Sequence, residues 1–141
     1  MHIAKPALAA GPLAALVFAA VPASAATAPR VYDIGHCTAT GQDAQCMTGG
    51  GQINRPAAIW VNVHADPDQK VDVYWTMDCF KGTSASSDDG NFTARTPVKS
   101  YPLPMPARNE GTCYVTASVS LHVFGAKGSI GAWLTATKRP R

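Results

Sequence analysis

Glutamate, and charge in general, are scarce in this sequence. Only 15% of the residues are Asp, Glu, Lys or Arg, and Glu110 is the single glutamate. A glycosidase with paired carboxylates would have to use aspartates, and no spacing among them selects a pair. The chain also lacks the G-x-S-x-G and H-E-x-x-H segments of serine hydrolases and zinc proteases. We therefore expect that the protein is not an enzyme, and a secreted hydrolase is the least favoured interpretation.

The sequence also has no apolar run long enough to span a bilayer. Its longest run, residues 7–21, follows Lys5 and precedes the small-residue motif Ala23-Ser24-Ala25, which is the arrangement of a secretory signal peptide. We predict a signal peptide over residues 1–25 and one secreted domain over residues 26–141. We expect the domain to be released outside the cell, without a membrane partner.

Charge of one sign is not concentrated along most of the chain. The formal net charge is +3, and the one basic run is the tail with Lys138, Arg139 and Arg141. A net positive charge this small gives no reason to predict a nucleic-acid partner. We expect the basic tail to be a solvated end.

Helical periodicity is missing, and alternation of apolar and polar residues takes its place. The longest alternation covers residues 111–124, with Cys113 and Val123 at the ends of its apolar row. Residues 57–65 and 71–80 also alternate, and the turn signal at residues 66–69 predicts a hairpin between them. Residues 130–135 form the last predicted strand.

Other segments alternate weakly or not at all. Residues 81–91 are rich in Ser, Asp and Gly, which predicts a mobile loop, and residues 91–100 form a weaker strand. Residues 101–106 carry proline at every second position, which excludes a central strand and predicts an extended surface segment.

Four cysteines follow the predicted signal peptide, and an even number in an oxidising compartment indicates two disulfides. Cys37 and Cys46 bracket a short polar loop and form the predicted local bridge. Cys79 and Cys113 each lie on the apolar row of a predicted strand, which indicates a buried bridge through the core. Closing the loop between them contributes about 3–4 kcal/mol in the chain-entropy model.

These patterns predict an all-β fold. We expect an antiparallel β-sandwich of about five to seven strands, immunoglobulin-like in arrangement, with two disulfides. A small barrel is the alternative architecture.

Four aromatic residues opposite the apolar rows are the candidate binding residues, namely Trp60, Tyr74, Tyr114 and Trp133. If that face meets solvent, the rings could stack on an extracellular or cell-wall polysaccharide, or contact a secreted protein. The alternative is that other segments cover them, because large aromatic side chains are mostly buried. Of the three tryptophans, we expect Trp75 alone to be shielded from solvent.

Two other groups could hold a metal ion, but neither meets the requirements of a known site. Asp66, Asp68 and Asp72 resemble part of a calcium loop, without the glycine and distal glutamate of an EF-hand. His64 and His122 lie on polar rows and could meet as a metal or acid–base pair, yet two ligands without a third do not make a metal site. We predict no metal and no cofactor.

The proline-rich segment supplies an alternative function. An exposed, stiffened loop over residues 101–108, ahead of a disulfide, is similar to the rigid strand that small inhibitors present to a protease. This hypothesis makes the protein a secreted inhibitor or antagonistic factor, with Arg108 as its contact residue. A plain crossover between sheets is the simpler interpretation of the same segment.

The sequence resembles a group of small secreted actinobacterial proteins of unassigned function, over residues 50–56, 71–82, 103–104 and 113–121. That resemblance implies secretion and a β fold. Residues 32–37, followed by Cys46, resemble the first disulfide loop of the neocarzinostatin-type chromophore-binding apoproteins. This second likeness implies an immunoglobulin-like sandwich with a ligand cleft.

Overall fold

The computed structural model describes residues 28–105 and 111–140, and every regular element in that part of the chain is a β-strand. The predicted signal peptide lies outside the described residues. Within the described part, no helix is long and apolar enough to cross a membrane. The nine strands are β1 (Val31–Gln42), β2 (Gln45–Met47), β3 (Gly51–Asn54), β4 (Pro56–Asp66), β5 (Lys70–Lys81), β6 (Ser84–Arg95), β7 (Lys99–Pro102), β8 (Thr112–Leu121) and β9 (Lys127–Lys138).

The strands form two antiparallel sheets that pack against each other. Sheet A has the order β1-β9-β4-β7, and sheet B has the order β2-β8-β5-β6, with β3 also pairing with β8. The all-β sandwich with two disulfides is therefore confirmed, although it has more strands than the sequence indicates. The immunoglobulin-like arrangement stays a prediction.

The core lies between the sheets and is built from the apolar rows read in the sequence. In sheet A, Val61 and Leu134 are completely buried, and in sheet B Val73 and Val115 are buried to the same degree or nearly so. Each belongs to a strand whose exposed and buried residues alternate along most of its length. Because the period is two, the opposite row of every such strand lies on an outer face of the sandwich.

The predicted hairpin over residues 57–80 is wrong, because its two strands belong to different sheets. β4 pairs with β7 and β9 in sheet A, whereas β5 pairs with β6 and β8 in sheet B. Alternation reveals an apolar row, but it does not distinguish a hydrogen-bonded neighbour from a strand that faces it across the core. The turn over residues 67–69 therefore connects the two layers.

The predicted mobile loop over residues 81–91 is also wrong. From Ser84 onward this segment pairs residue for residue with β5, beginning at Lys81↔Ser84. Gly82 has φ 59° at the first position of the two-residue turn, which suits a type II′ hairpin. Ser87 donates a hydrogen bond to Asp78, so polar cross-strand contacts support a strand that has little apolar surface.

Smaller differences occur at the ends of other predicted segments. β1 continues through Gln42, so most of the segment between Cys37 and Cys46 is strand rather than loop. β8 ends at Leu121, and Val123 is 61% exposed instead of completing the apolar row. The proline-rich segment contributes the short edge strand β7, as its prolines indicate.

Both predicted disulfides are present, but they connect different layers from those expected. Cys79 and Cys113 are buried partners within sheet B, so this bridge does not pass between the sheets. Cys37 on β1 and Cys46 on β2 join sheet A to sheet B at the edge of the sandwich. The local bridge is therefore the covalent link between the layers.

Candidate binding surface

Two half-buried tryptophans lie side by side on the outer face of sheet A. Trp60 on β4 is the register partner of Thr135 on β9, and Asn62 is the partner of Trp133. Trp60 and Trp133 are thus diagonal neighbours on one face. The backbones of two such residues are about 7–8 Å apart, which is within reach of aromatic side chains. We name these four residues the tryptophan platform.

A buried amide fixes the middle of the tryptophan platform. Asn62 is only 5% exposed although it lies on the outer face, so its neighbours cover it. Its Nδ2 donates to Thr135 Oγ1 at 3.0 Å and to the Trp133 carbonyl oxygen at 3.1 Å, and its Oδ1 accepts from Ser100 Oγ. These bonds tie β4 to β9 and β7, which holds the two rings on a rigid sheet.

A shallow groove adjoins the tryptophan platform. Its volume is about 240 Å³, and it is lined by Val31, Trp60, Ser100 and Thr135. Aromatic faces beside hydroxyl groups match the two sides of a sugar ring, which has apolar C–H faces and polar edges. Two exposed histidines, His36 and His64, lie on the same outer face as partners of Trp133 and Gly131.

The expected single aromatic face is wrong. Tyr74 on β5 and Tyr114 on β8 lie on the outer face of sheet B, on the side of the sandwich opposite to Trp60 and Trp133. These tyrosines are 47% and 43% exposed. Four outward rings therefore divide into two pairs, and one flat ligand cannot contact all of them together.

The two outward tyrosines of sheet B each contact a neighbouring side chain of that sheet. Tyr114 packs edge-on against Phe80 with ring centroids 5.9 Å apart. Tyr74 donates a hydrogen bond to Asp89 Oδ2 at 3.2 Å. That bond, followed by the negative charge of Asp89, raises the pKa of Tyr74 above its ordinary value of 10.0, since both favour the neutral phenol.

The proposed metal-ligand groups do not assemble. His64 lies on sheet A, whereas His122 follows β8 of sheet B and its Nδ1 contacts Asp72 Oδ1 at 2.7 Å. Asp72 lies on β5 of sheet B, where Thr93 donates to the same oxygen, whereas Asp66 ends β4 of sheet A. Among the described residues, no group of three His, Cys, Asp or Glu side chains could hold a metal ion.

The proline-rich segment is only partly described. Its start pairs with β4, and Leu103 is 5% exposed with its backbone N–H donating to the Ile59 carbonyl oxygen. Arg108, the proposed contact residue of an inhibitor, lies outside the described residues. The described part is therefore an edge strand and a buried leucine.

Sequence reasoning identified the rings but missed the role of Asn62. The residue stands between Trp60 and the next polar-row position, His64, and nothing in the alternation distinguishes it from a solvated side chain. The second ring beside Asn62, Trp133, is placed there only by the pairing of β4 with β9, so the sequence carried no signal for this role. Comparisons with protein-family models, curated proteins and solved structures found no match.

Proposed function

We propose that this protein is a secreted, non-enzymatic binding protein that holds an extracellular polysaccharide on the tryptophan platform. The main support for this proposal is the diagonal pair of Trp60 and Trp133, which the hydrogen bonds of the buried Asn62 hold in place. Rings held on a sheet lose little conformational freedom when a ligand binds, which favours recognition of a flat sugar chain. The two disulfides favour an oxidising compartment, in agreement with the signal-type sequence at residues 1–25.

The site suits binding rather than catalysis. The ligand-facing groups of the tryptophan platform are two indole rings and the Thr135 hydroxyl, and the groove adds Val31 and Ser100. The polar groups of Asn62 are engaged with their neighbours, so they hold the surface in shape. Stacking and hydrogen bonding are the interactions that such a surface offers a sugar.

Retention of the purified, oxidised protein on insoluble cellulose, chitin and bacterial cell wall tests the proposal. Trp60→Ala and Trp133→Ala should each weaken retention about tenfold, because an aromatic contact is worth ~0.5–1.5 kcal/mol beyond its area. Tyr74→Ala and Tyr114→Ala remove comparable rings from sheet B and serve as matched controls. Unchanged retention of both folded tryptophan variants, or equal losses in the tyrosine variants, would contradict the proposal.

A further inference from the structure

Asp33 places a carboxylate beside the groove of the tryptophan platform. It is the register partner of Thr135, which in turn pairs with Trp60 on the next strand. It also follows Val31 by two positions on β1, so both side chains lie on the outer face of sheet A. Val31 and Thr135 both line the groove. The exposed carboxylate of Asp33 therefore borders the groove on the side away from Trp60.

The carboxylate of Asp33 has a backbone partner but no cationic partner. Its Oδ1 accepts a hydrogen bond from the Gly35 N–H at 3.4 Å. Among residues 28–105 and 111–140, no lysine or arginine lies within ion-pair distance of Asp33. A carboxylate without a counter-charge attracts a cationic group, and the attraction becomes stronger where a bound ligand displaces water.

The cations closest to Asp33 along β1 and to Thr135 along β9 face the other side of sheet A. Arg30 and Lys138 lie over the ring of Tyr32, at 5.2 and 4.6 Å from its centroid. Tyr32 packs against the core, so this ring and its two cations belong to the inner row at the edge of the sheet. Neither cation lines the groove beside the tryptophan platform.

The two rows of sheet A that contain the tryptophans carry one formal charge when histidine is neutral. One row comprises Asp33, Thr135, Trp60 and Pro102, and the other comprises His36, Trp133, Asn62 and Ser100. Toward the start of β9, the first cation on the outer row is Lys127, 8 positions from Thr135. That separation is about 26 Å along a strand, whereas salt screens exposed charges within about 8–10 Å. The charge beside the tryptophan platform is therefore negative.

The indole rings add to the preference for a cationic ligand. The face of an aromatic ring attracts a cation, and Trp does so more strongly than Tyr or Phe. Asp33 is the diagonal neighbour of Trp133 across β1 and β9, with backbones about 7–8 Å apart. One sugar can therefore stack on the Trp133 ring and extend an amino group to the carboxylate of Asp33.

We propose that the ligand of the tryptophan platform is an amino-sugar polysaccharide whose ammonium groups bind at Asp33. This inference rests on the proposed function, since it assigns a charge class to the same ligand. A polysaccharide is favoured over a basic protein, because a single carboxylate lies beside two indole rings and the hydroxyls that line the groove. A basic protein segment is matched by a surface with several carboxylates.

Affinity for a soluble glucosamine hexasaccharide, compared with its N-acetylated form, tests the inference, because the two ligands share a backbone and differ in charge. At about pH 6 the amino groups carry protons. The charged form should bind about tenfold more tightly at low salt, with about fivefold from the carboxylate and about twofold from the indole rings. This difference should largely vanish near 1 M NaCl.

Asp33→Asn removes the charge and keeps an acceptor for the Gly35 N–H. It should weaken binding of the charged form about fivefold and leave binding of the N-acetylated form unchanged. The matched control is Asp68→Asn, which removes the same charge from an exposed carboxylate in the turn between β4 and β5 and should change neither affinity. Equal losses in the two variants would overturn the inference, because net charge rather than Asp33 would then attract the ligand.

Other outcomes distinguish the inference from the proposed function. Equal or tighter binding of the N-acetylated form, with loss in Trp60→Ala, would overturn the inference and leave the proposed function standing. The same holds if neither hexasaccharide binds but Trp60 is needed for retention on insoluble polysaccharide. Absence of both binding and retention would overturn both. Equal or tighter binding of polylysine at matched charge would replace the polysaccharide with a basic protein.

Discussion

Cys79 on β5 and Cys113 on β8 are direct register partners on neighbouring strands, so their disulfide crosses one ladder of sheet B. The strands are already hydrogen-bonded there, and the bridge adds no contact between the layers. Its main effect is on the unfolded chain, where it closes the loop between residues separated by 34 positions. The link between the layers is Cys37–Cys46, with a sequence separation of 9.

Removing each bridge should therefore have a different effect on stability. The chain-entropy model predicts a loss of about 4 kcal/mol for the pair Cys79→Ala and Cys113→Ala, and about 1 kcal/mol less for Cys37→Ala and Cys46→Ala. Urea unfolding of the two double variants gives both values. A larger loss of stability on removal of Cys37–Cys46 would contradict this order. It would show that linking the two sheets in the folded state matters more than closing a loop in the unfolded chain.

Gly90 on β6 leaves room for the indole of Trp75 on the core side of sheet B. The two residues are register partners, and a Cβ added at Gly90 would lie 2.8 Å from Trp75 Cζ2. Gly90→Ala should displace the ring and cost about 1–3 kcal/mol, as other overpacking substitutions do. Chemical unfolding and the emission maximum of Trp75 report the change.

Gly49→Ala is the matched control for this prediction, because an added Cβ there meets nothing within 4 Å. It should leave stability unchanged. If Gly90→Ala also leaves the free energy of unfolding unchanged, the close contact between Trp75 and β6 described above is contradicted.

Asn62 should stabilise the protein through its bonds rather than its volume. Asn62→Leu has nearly the same size but leaves the Trp133 carbonyl and the hydroxyls of Thr135 and Ser100 without that partner. The expected loss is about 1–3 kcal/mol of unfolding free energy, together with weaker retention on polysaccharide. Asn91→Leu changes an exposed amide on sheet B and should affect neither measurement.

The Tyr74–Asp89 pair gives a pH-dependent prediction. Because the folded state raises the pKa of Tyr74, the contribution of the pair to stability is complete below pH 10.0 and is lost as pH rises through the raised value. Phenolate absorbance, as the difference between the protein and its Tyr74→Phe variant, should show Tyr74 titrating above pH 10.0. Asp89→Asn should lower that midpoint, whereas Asp88→Asn should shift it less.

Much of this structure can be predicted from alternation alone, since the apolar rows through Val61, Val73 and Val115 define strands and one buried side. The assignment of strands to sheets cannot be predicted in this way. The apolar row of a strand is the same whether the next strand is hydrogen-bonded beside it or faces it across the core. That ambiguity produced the incorrect hairpin, and it merged Trp60 and Tyr74 into one face.

Residues 84–91 illustrate a different limit of sequence reasoning. Their serines and aspartates have low intrinsic strand preference, and Gly90 adds to that signal. Pairing with the long strand β5 overrides it, helped by the bonds from Ser87 and to Asp89. Tertiary context of this kind is not encoded in a local window of composition.

Iodide quenching of tryptophan fluorescence, with and without polysaccharide, tests the central claim most directly. Trp75 is 5% exposed, whereas Trp60 and Trp133 are only half-buried on the outer face of sheet A. Two of the three tryptophans should quench in the free protein, and saturating polysaccharide should protect both of them. If polysaccharide does not change the quenching of these two rings, binding on the tryptophan platform is contradicted. If all three tryptophans are protected in the free protein, an exposed platform is contradicted altogether.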